Sequence, residues 1–180
     1  MKFNITQKEL KNLSAFCANK SRPQLEHITA TVKAGRLELF ASDGGAMAIL
    51  KKDVEGAQDG EQTVVPSNLY KKFNSKAHIE ISSTDTKNTY RAVDLVSGQE
   101  IFYTVPENRF IPNYDLVVRD LETAKTAENF AIFSHEHLKK LETLIGWQYY
   151  QNITPVTRDK SHPHFWVLDD LIVALMPYRA

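Results

Sequence analysis

The side chains most able to do chemistry in this sequence are cations on short predicted helices. The first such segment carries Lys8, Lys11, Lys20 and Arg22 against Glu9 alone. The second carries Lys71, Lys72 and Lys76, with no acidic residue between Ser67 and Lys76. Clusters of this kind suit a polyanion, because Lys and Arg neutralise phosphates without reading sequence. The ordinary alternative is a solvated helix face. A third predicted helix carries Lys139 and Lys140, but Glu136 and Glu142 match them, and only His135 and His137 remain to tip the balance.

Histidine offers a second chemistry. Four of the six histidines fall in "SHEH" and "SHPH", at His135, His137, His162 and His164. Zinc needs ligands converging at about 2.0 Å in tetrahedral geometry. Residues two apart on a helix point in different directions, so His135 and His137 do not converge. Pro163 separates the other two, and the H-E-x-x-H spacing is absent. We expect surface or packing histidines, no metal and no cofactor; a small metal-dependent hydrolase is the alternative from another class. No glycine-rich phosphate loop or G-x-S-x-G is found, and no enzymatic activity is expected. Trp147, Tyr149 and Tyr150 in "GWQYYQ" are read as closing a small core, with base stacking as the alternative.

The bulk numbers limit the partners. In 180 residues there are 22 Lys plus Arg and 22 Asp plus Glu, so no global field draws the chain to nucleic acid or membrane. Any nucleic-acid surface must come from local clustering. The single cysteine, Cys17, is predicted to be a small core residue in a reducing compartment. "MKFNITQKEL" lacks the apolar run of a signal peptide, and no segment reaches the ~20 apolar residues of a membrane span. The expectation is a cytoplasmic protein with no membrane partner.

The elements that must position these groups read as follows. "KFNIT" alternates as a strand, and Thr6-Gln7-Lys8-Glu9 forms a capping box for a helix with Leu10, Leu13 and Cys17 on one face. "HITATVK" and "RLELFAS" make a hairpin about Ala34-Gly35, and "AMAILKKDV" is a third strand. "VVPSNLYKKFNSK" predicts a strand end and a short helix with Leu69 and Phe73 inward. "HIEIS", "TYRAVDLV" and "QEIFYTV" are strands, the last pair turning at Ser97-Gly98. "PENRFIPNYDL" reads as a connector. The order then restarts: "NFAIFS" as a strand, a helix capped by Ser134 with Leu138, Leu141 and Ile145, and a hairpin "HFWVLDDLIVALM" turned at Asp169-Asp170.

Several phrases resemble the DNA sliding clamp family, specifically the bacterial DNA polymerase III beta subunit. "MKFNITQKEL" resembles that family's opening strand and helix. "GRLELFASD" is similar to its G-x-L-x-L-x-A-T-D strand, with Ser42 where Thr is usual. "TVVPSNLYKKF" resembles the start of its second helix. "RFIPNYDL" resembles its E-F-P-x-x-P segment, and the terminal "LMPYR" its M-P-M-R; Met176, Pro177 and Arg179 match, and Tyr178 departs. The resemblance covers nearly all of the first part and the two ends of the second.

What the resemblance implies is an α+β, DNA-clamp-like fold of antiparallel sheets with helices on one side. It implies a clamp-like domain over 1–116 and an abbreviated second copy over 117–180. Clamp domains hold duplex DNA topologically against their inner helices, which gives Lys8, Lys11, Lys20, Arg22, Lys71, Lys72, Lys76, Lys139 and Lys140 the role of phosphate contacts. It assigns Met176, Pro177, Tyr178 and Arg179 to a pocket for partner peptides; the plain alternative is a last strand that frays in solvent. The implied function is non-enzymatic: a polymerase processivity factor that encircles or contacts duplex DNA and meets DNA polymerase or other replication proteins. The alternative is a clamp-fold protein-binding module that does not encircle DNA. Clamp rings have six domains, so a two-domain chain points to a homo-oligomer, a trimer, and its small size to a phage or mobile element.

Overall fold

The computed structural model describes residues 1–18, 22, 25–106, 112–127, 131–146 and 154–177. In β1 (Lys2–Thr6) Phe3 and Ile5 point inward. Thr6 then stops the strand and starts α1 (Gln7–Ser14): its hydroxyl accepts the Glu9 amide at 3.2 Å, and the Glu9 carboxylate accepts the Thr6 amide at 2.8 Å. This is the capping box read from the sequence. Leu10 and Leu13 face the core.

Strands β2 (His27–Lys33) and β3 (Arg36–Ser42) form the expected hairpin. Its turn needs positive φ at both central residues, and Ala34 and Gly35 supply 49° and 73°. β4 (Ala46–Asp53) follows. Next come β5 (Gln62–Pro66), β6 (His78–Ser83), β7 (Thr89–Asp94) and β8 (Glu100–Thr104). The remaining elements are α2 (Asp115–Glu122), β9 (Lys125–Thr126), α3 (His135–Ile145), β10 (Val156–Thr157), β11 (His164–Leu168) and β12 (Leu171–Leu175).

All strand pairs are antiparallel. One sheet has the order β1-β6-β7-β8, and the other β5-β2-β3-β4-β12-β11-β10-β9. The larger sheet joins β5-β2-β3-β4 to β12-β11-β10-β9. β4 and β12 meet at its centre and pair from Leu171 opposite Leu50 to Leu175 opposite Ala46. Outward of them lie β3 and β2 on one side and β11 and β10 on the other, which gives the centre a local two-fold relation. The helices obey it: α1 and α3 adjoin, and Asn12 Nδ2 donates to the Thr143 carbonyl at 3.3 Å.

The centre of the large sheet is covered on both faces. Leu37, Leu39, Ala48, Val173 and Leu175 join the core beneath α1 and α3. Their alternate neighbours Phe40, Met47, Ile49, Ile172 and Ala174 form a second cluster with Val117, Val118 and Leu121 of α2. Both periods of an extended strand are therefore apolar, as in sheets buried on both sides.

Three readings from the sequence need correction. The predicted second helix is only a 3₁₀ turn, Leu69–Lys72. Phe73 is already extended, and the Asn74 side chain accepts the Lys76 amide at 3.2 Å, a local bond that competes with helix. Leu69 and Phe73 are nonetheless both buried. "NFAIFS" is not a strand where it is described: Ala131–Ser134 pairs with nothing, Ile132 is 75% exposed, and the short strand lies earlier, at β9. β1 stands before α1 in the same way, but pairs with β6. Among the described residues no such partner strand lies beside the segment before α3. Finally, a helix, α2, begins at the end of the segment read as a connector and runs on beyond it. Tyr114 anchors its start, stacked on Phe40 at 4.5 Å and donating to Glu38 at 2.8 Å. It sits on the face opposite α1 and α3, so the expectation of helices on one side holds for those two alone.

Because the large sheet runs through both parts, the chain should unfold as one unit. Both tryptophans follow residue 116. Leu39→Ala, in the first part, should lower stability by roughly 2–5 kcal/mol. It should shift the denaturant midpoint seen by tryptophan fluorescence as much as that seen by circular dichroism. Separate transitions would contradict a shared core.

Candidate functional site

The cationic side chains gather where α1, the 3₁₀ turn and α3 meet. α1 packs against both neighbours, and Gln7 Nε2 donates to the Tyr70 carbonyl at 3.2 Å. Between α1 and the turn lies a cleft of about 330 Å³ lined by Lys11, Ser14, Ala15, Ser67, Tyr70 and Lys71 among others. Lys8, Lys11, Lys71, Lys72, Lys76 and Lys139 are exposed, and none has an ion-pair partner among the described residues. Glu9, the one acid of the first segment, is occupied by Lys52 at 2.5 Å and by the cap. Burial opposes its charge, yet the Lys52 and Thr6 hydrogen bonds outweigh burial and hold its pKa below the ordinary value.

Two of the predicted cations are engaged by the turn at Asp43. Lys140 pairs with Asp43, at the turn between β3 and β4. Arg22 donates to the Asp43 carbonyl at 2.6 Å. Asp43 is thus a clasp joining the first unit to α3, a role that sequence reasoning missed. Its Oδ1 accepts the amides of Gly45 and Ala46, each at 2.8 Å, and His137 Nε2 lies 3.6 Å from Oδ2. Gly45 is required by that approach, since a Cβ there would stand 2.5 Å from His137 Cε1. The signal that could have found it is the "SDGG" turn, where an Asp side chain commonly accepts the following amides. Lys20 lies outside the described residues, as do Tyr178, Arg179, Trp147, Tyr149 and Tyr150.

The other candidates are placed as follows. Met176 is half-buried and its amide donates to the Gly45 carbonyl at 2.8 Å, continuing the ladder past β12; Pro177 is buried. His135 is exposed. His162 Nδ1 meets Asp159 at 2.8 Å, and His164 is buried edge-on to Phe133. Among the described residues, no three His, Cys, Asp or Glu side chains come together as metal ligands. Burial pushes the Cys17 thiol up to about 12, so it is a poor nucleophile at neutral pH. Among the described residues, no helix is long and apolar enough to cross a membrane.

No protein-family model matches this sequence, and no curated protein matches it. Solved structures do. The DNA polymerase sliding clamp from Pseudomonas aeruginosa superposes with a TM-score of 0.69 at 17% identity, covering 100% of this chain and 67% of that one. The DNA polymerase III beta subunit from Thermotoga maritima gives 0.63 at 14% identity, over 99% of this chain and 65% of that one. A putative beta subunit from Eubacterium rectale gives 0.62 at 12% identity with the same coverage. This chain has the DNA sliding-clamp fold. It spans about two thirds of the length of those clamps, as a shortened clamp fold.

The Asp43 clasp gives a pH-dependent test. Burial disfavours the carboxylate, but the Lys140 hydrogen bond and the Gly45 and Ala46 amides hold its pKa below the usual value. A depressed native pKa contributes stability above the unfolded-chain pKa and loses it as pH falls through the native one. Asp43→Asn should therefore cost about 1–3 kcal/mol at pH 7. The gap from wild type should narrow below about pH 4, where a free Asp protonates. Urea titrations at neutral and acid pH would measure it; a gap that stays constant would contradict the clasp.

Proposed function

We propose that this chain is a non-enzymatic sliding-clamp-like protein of the cytoplasm that contacts duplex DNA and works with a DNA polymerase or other replication proteins. The observation that carries this reading is the face of α1, the 3₁₀ turn and α3. It presents Lys8, Lys11, Lys71, Lys72, Lys76 and Lys139 to solvent in a protein of zero net charge. Such a surface contacts phosphates loosely and without sequence readout. The chain is read as a clamp-like unit over 1–116 and an abbreviated one over 117–180, acting as a homo-oligomer. Met176 to Arg179 are proposed to meet partner peptides at the end of β12.

A second reading, a clamp-fold protein-binding module that does not encircle DNA, is favoured by one observation. The β4 edge is occupied by β12 of the same chain, so that edge is closed to a neighbouring subunit.

Binding to a long duplex should be weak, indifferent to sequence and steeply salt-dependent, with log K falling by about 0.9 per phosphate contact for each unit of log salt. Replacing Lys8, Lys11, Lys72 and Lys76 by Glu should abolish it and leave the circular dichroism spectrum unchanged. Equal binding by wild type and variant at low salt would refute the DNA reading and leave the protein-binding one.

A further inference from the structure

The cleft between α1 and the 3₁₀ turn stays open because the side chains on its helix wall are short. Ser14, Ala15 and Ala18 line one side of its 330 Å³, and Ser67, Asn68 and Tyr70 the other. The two walls are fixed to one another. The Gln7 amide donates to the Ala77 carbonyl at 3.0 Å, and its side chain to the Tyr70 carbonyl at 3.2 Å. The Ser14 hydroxyl is turned back onto its own helix, donating to the Leu10 carbonyl at 2.6 Å. The gap is therefore a built feature of the packing.

Every charged side chain that lines this cleft is a cation. Lys11 and Lys71 are exposed and have no acidic partner among the described residues. Glu9, the one acid of α1, is turned to Lys52. Lys71 Nζ stands 5.9 Å from the centre of the Tyr70 ring, within cation–π reach. The side chains of Ser67 and Asn68 make no hydrogen bond among the described residues and are free to turn to a ligand. Two other clefts lack this combination. The one between β1 and β4 includes Asp53 and Glu55. In the one beside Tyr114, Lys33 is already held by Asp115 and Glu38.

We propose that this cleft is a nucleotide site: it takes one unpaired nucleotide, with the phosphate between Lys11 and Lys71 and the base against the Tyr70 ring. Cations along a groove and an aromatic face beside them are the two features that hold unstacked nucleotides without reading sequence. The same ring face attracts a cation or stacks a base, so a phosphate that draws Lys71 aside leaves the face to the base. The volume lies at the small end of ligand sites, which suits one nucleotide and not a run of them. A base inside a duplex is already paired and stacked and cannot reach Tyr70. The ligand is therefore a free nucleotide or the unpaired end of a strand. The site shares the cationic surface proposed for duplex DNA but goes beyond that reading, because loose phosphate contact makes no use of Tyr70. It stands whether or not a duplex binds.

Titration calorimetry of the full chain with dAMP, deoxyadenosine and inorganic phosphate tests this. dAMP should bind more tightly than either of its parts. Tyr70→Leu should weaken dAMP binding at least about fivefold, the low end of what stacking on one ring contributes, and leave inorganic phosphate unaffected. Tyr70→Phe keeps the ring and should bind as the wild type does. Ala15→Glu sets a carboxylate in the cleft from an exposed position. It should weaken dAMP binding at least about tenfold with an unchanged circular dichroism spectrum, and it decides the matter if Tyr70→Leu does not fold. A duplex with an unpaired overhang, compared with a blunt one, separates the two sources. A Tyr70-dependent gain in affinity marks a strand end, and dAMP binding without that gain marks a free nucleotide; both support the site. dAMP binding with no binding of blunt duplex would refute the duplex reading alone. dAMP bound no more tightly than phosphate, bound equally by wild type and Ala15→Glu, or lost equally in Tyr70→Phe and Tyr70→Leu would each overturn the proposal.

Discussion

Everything in this molecule hangs on the pairing of β4 with β12. Two strands far apart in the chain meet at the centre of an eight-stranded sheet. An edge strand left open carries unpaired backbone groups and invites aggregation. Here two edges remove each other. The side chains on both faces then have to be covered, because Ala46 to Ile49 and Ile172 to Leu175 are all buried. α1 with α3 covers one face, and α2 with Tyr114 the other. Four strands of this sheet precede residue 67 and four follow residue 124, so the later strands are joined to a half supplied by the earlier ones.

That joint also decides where function can reside. It brings α1 and α3 side by side, the helices that carry exposed Lys8, Lys11 and Lys139. It fixes the Asp43 clasp, which draws Arg22 and Lys140 out of the cationic set.

Much of this fold is legible in the residues alone. The strands around the hairpin turns are legible because a period of two and a positive-φ turn are local properties. The start of α1 is legible because a capping box is written in four residues. The clamp-like phrases point to a fold that the solved clamps share at 10–17% identity. The lysine clusters are visible as composition, but not their separation into exposed and spent groups.

What the sequence determined by itself was local: strand periodicity, helix caps, turn residues, and the excess of Lys over acid in two segments. Tertiary structure decided whatever depends on a distant partner. "NFAIFS" has the alternation of a strand but finds no partner strand among the described residues, so Ile132 stays exposed. Leu69 and Phe73 carry helical spacing, yet the chain must turn at Asn74 to enter β6, and a 3₁₀ turn results. α2 became a helix where Tyr114 found Phe40 and Glu38, more than seventy residues earlier. Lys140 looks like its neighbour Lys139 until Asp43, 97 residues away, is folded against it. Hydrogen bonds and ion pairs between remote residues have no period and no composition, so only the folded chain can reveal them.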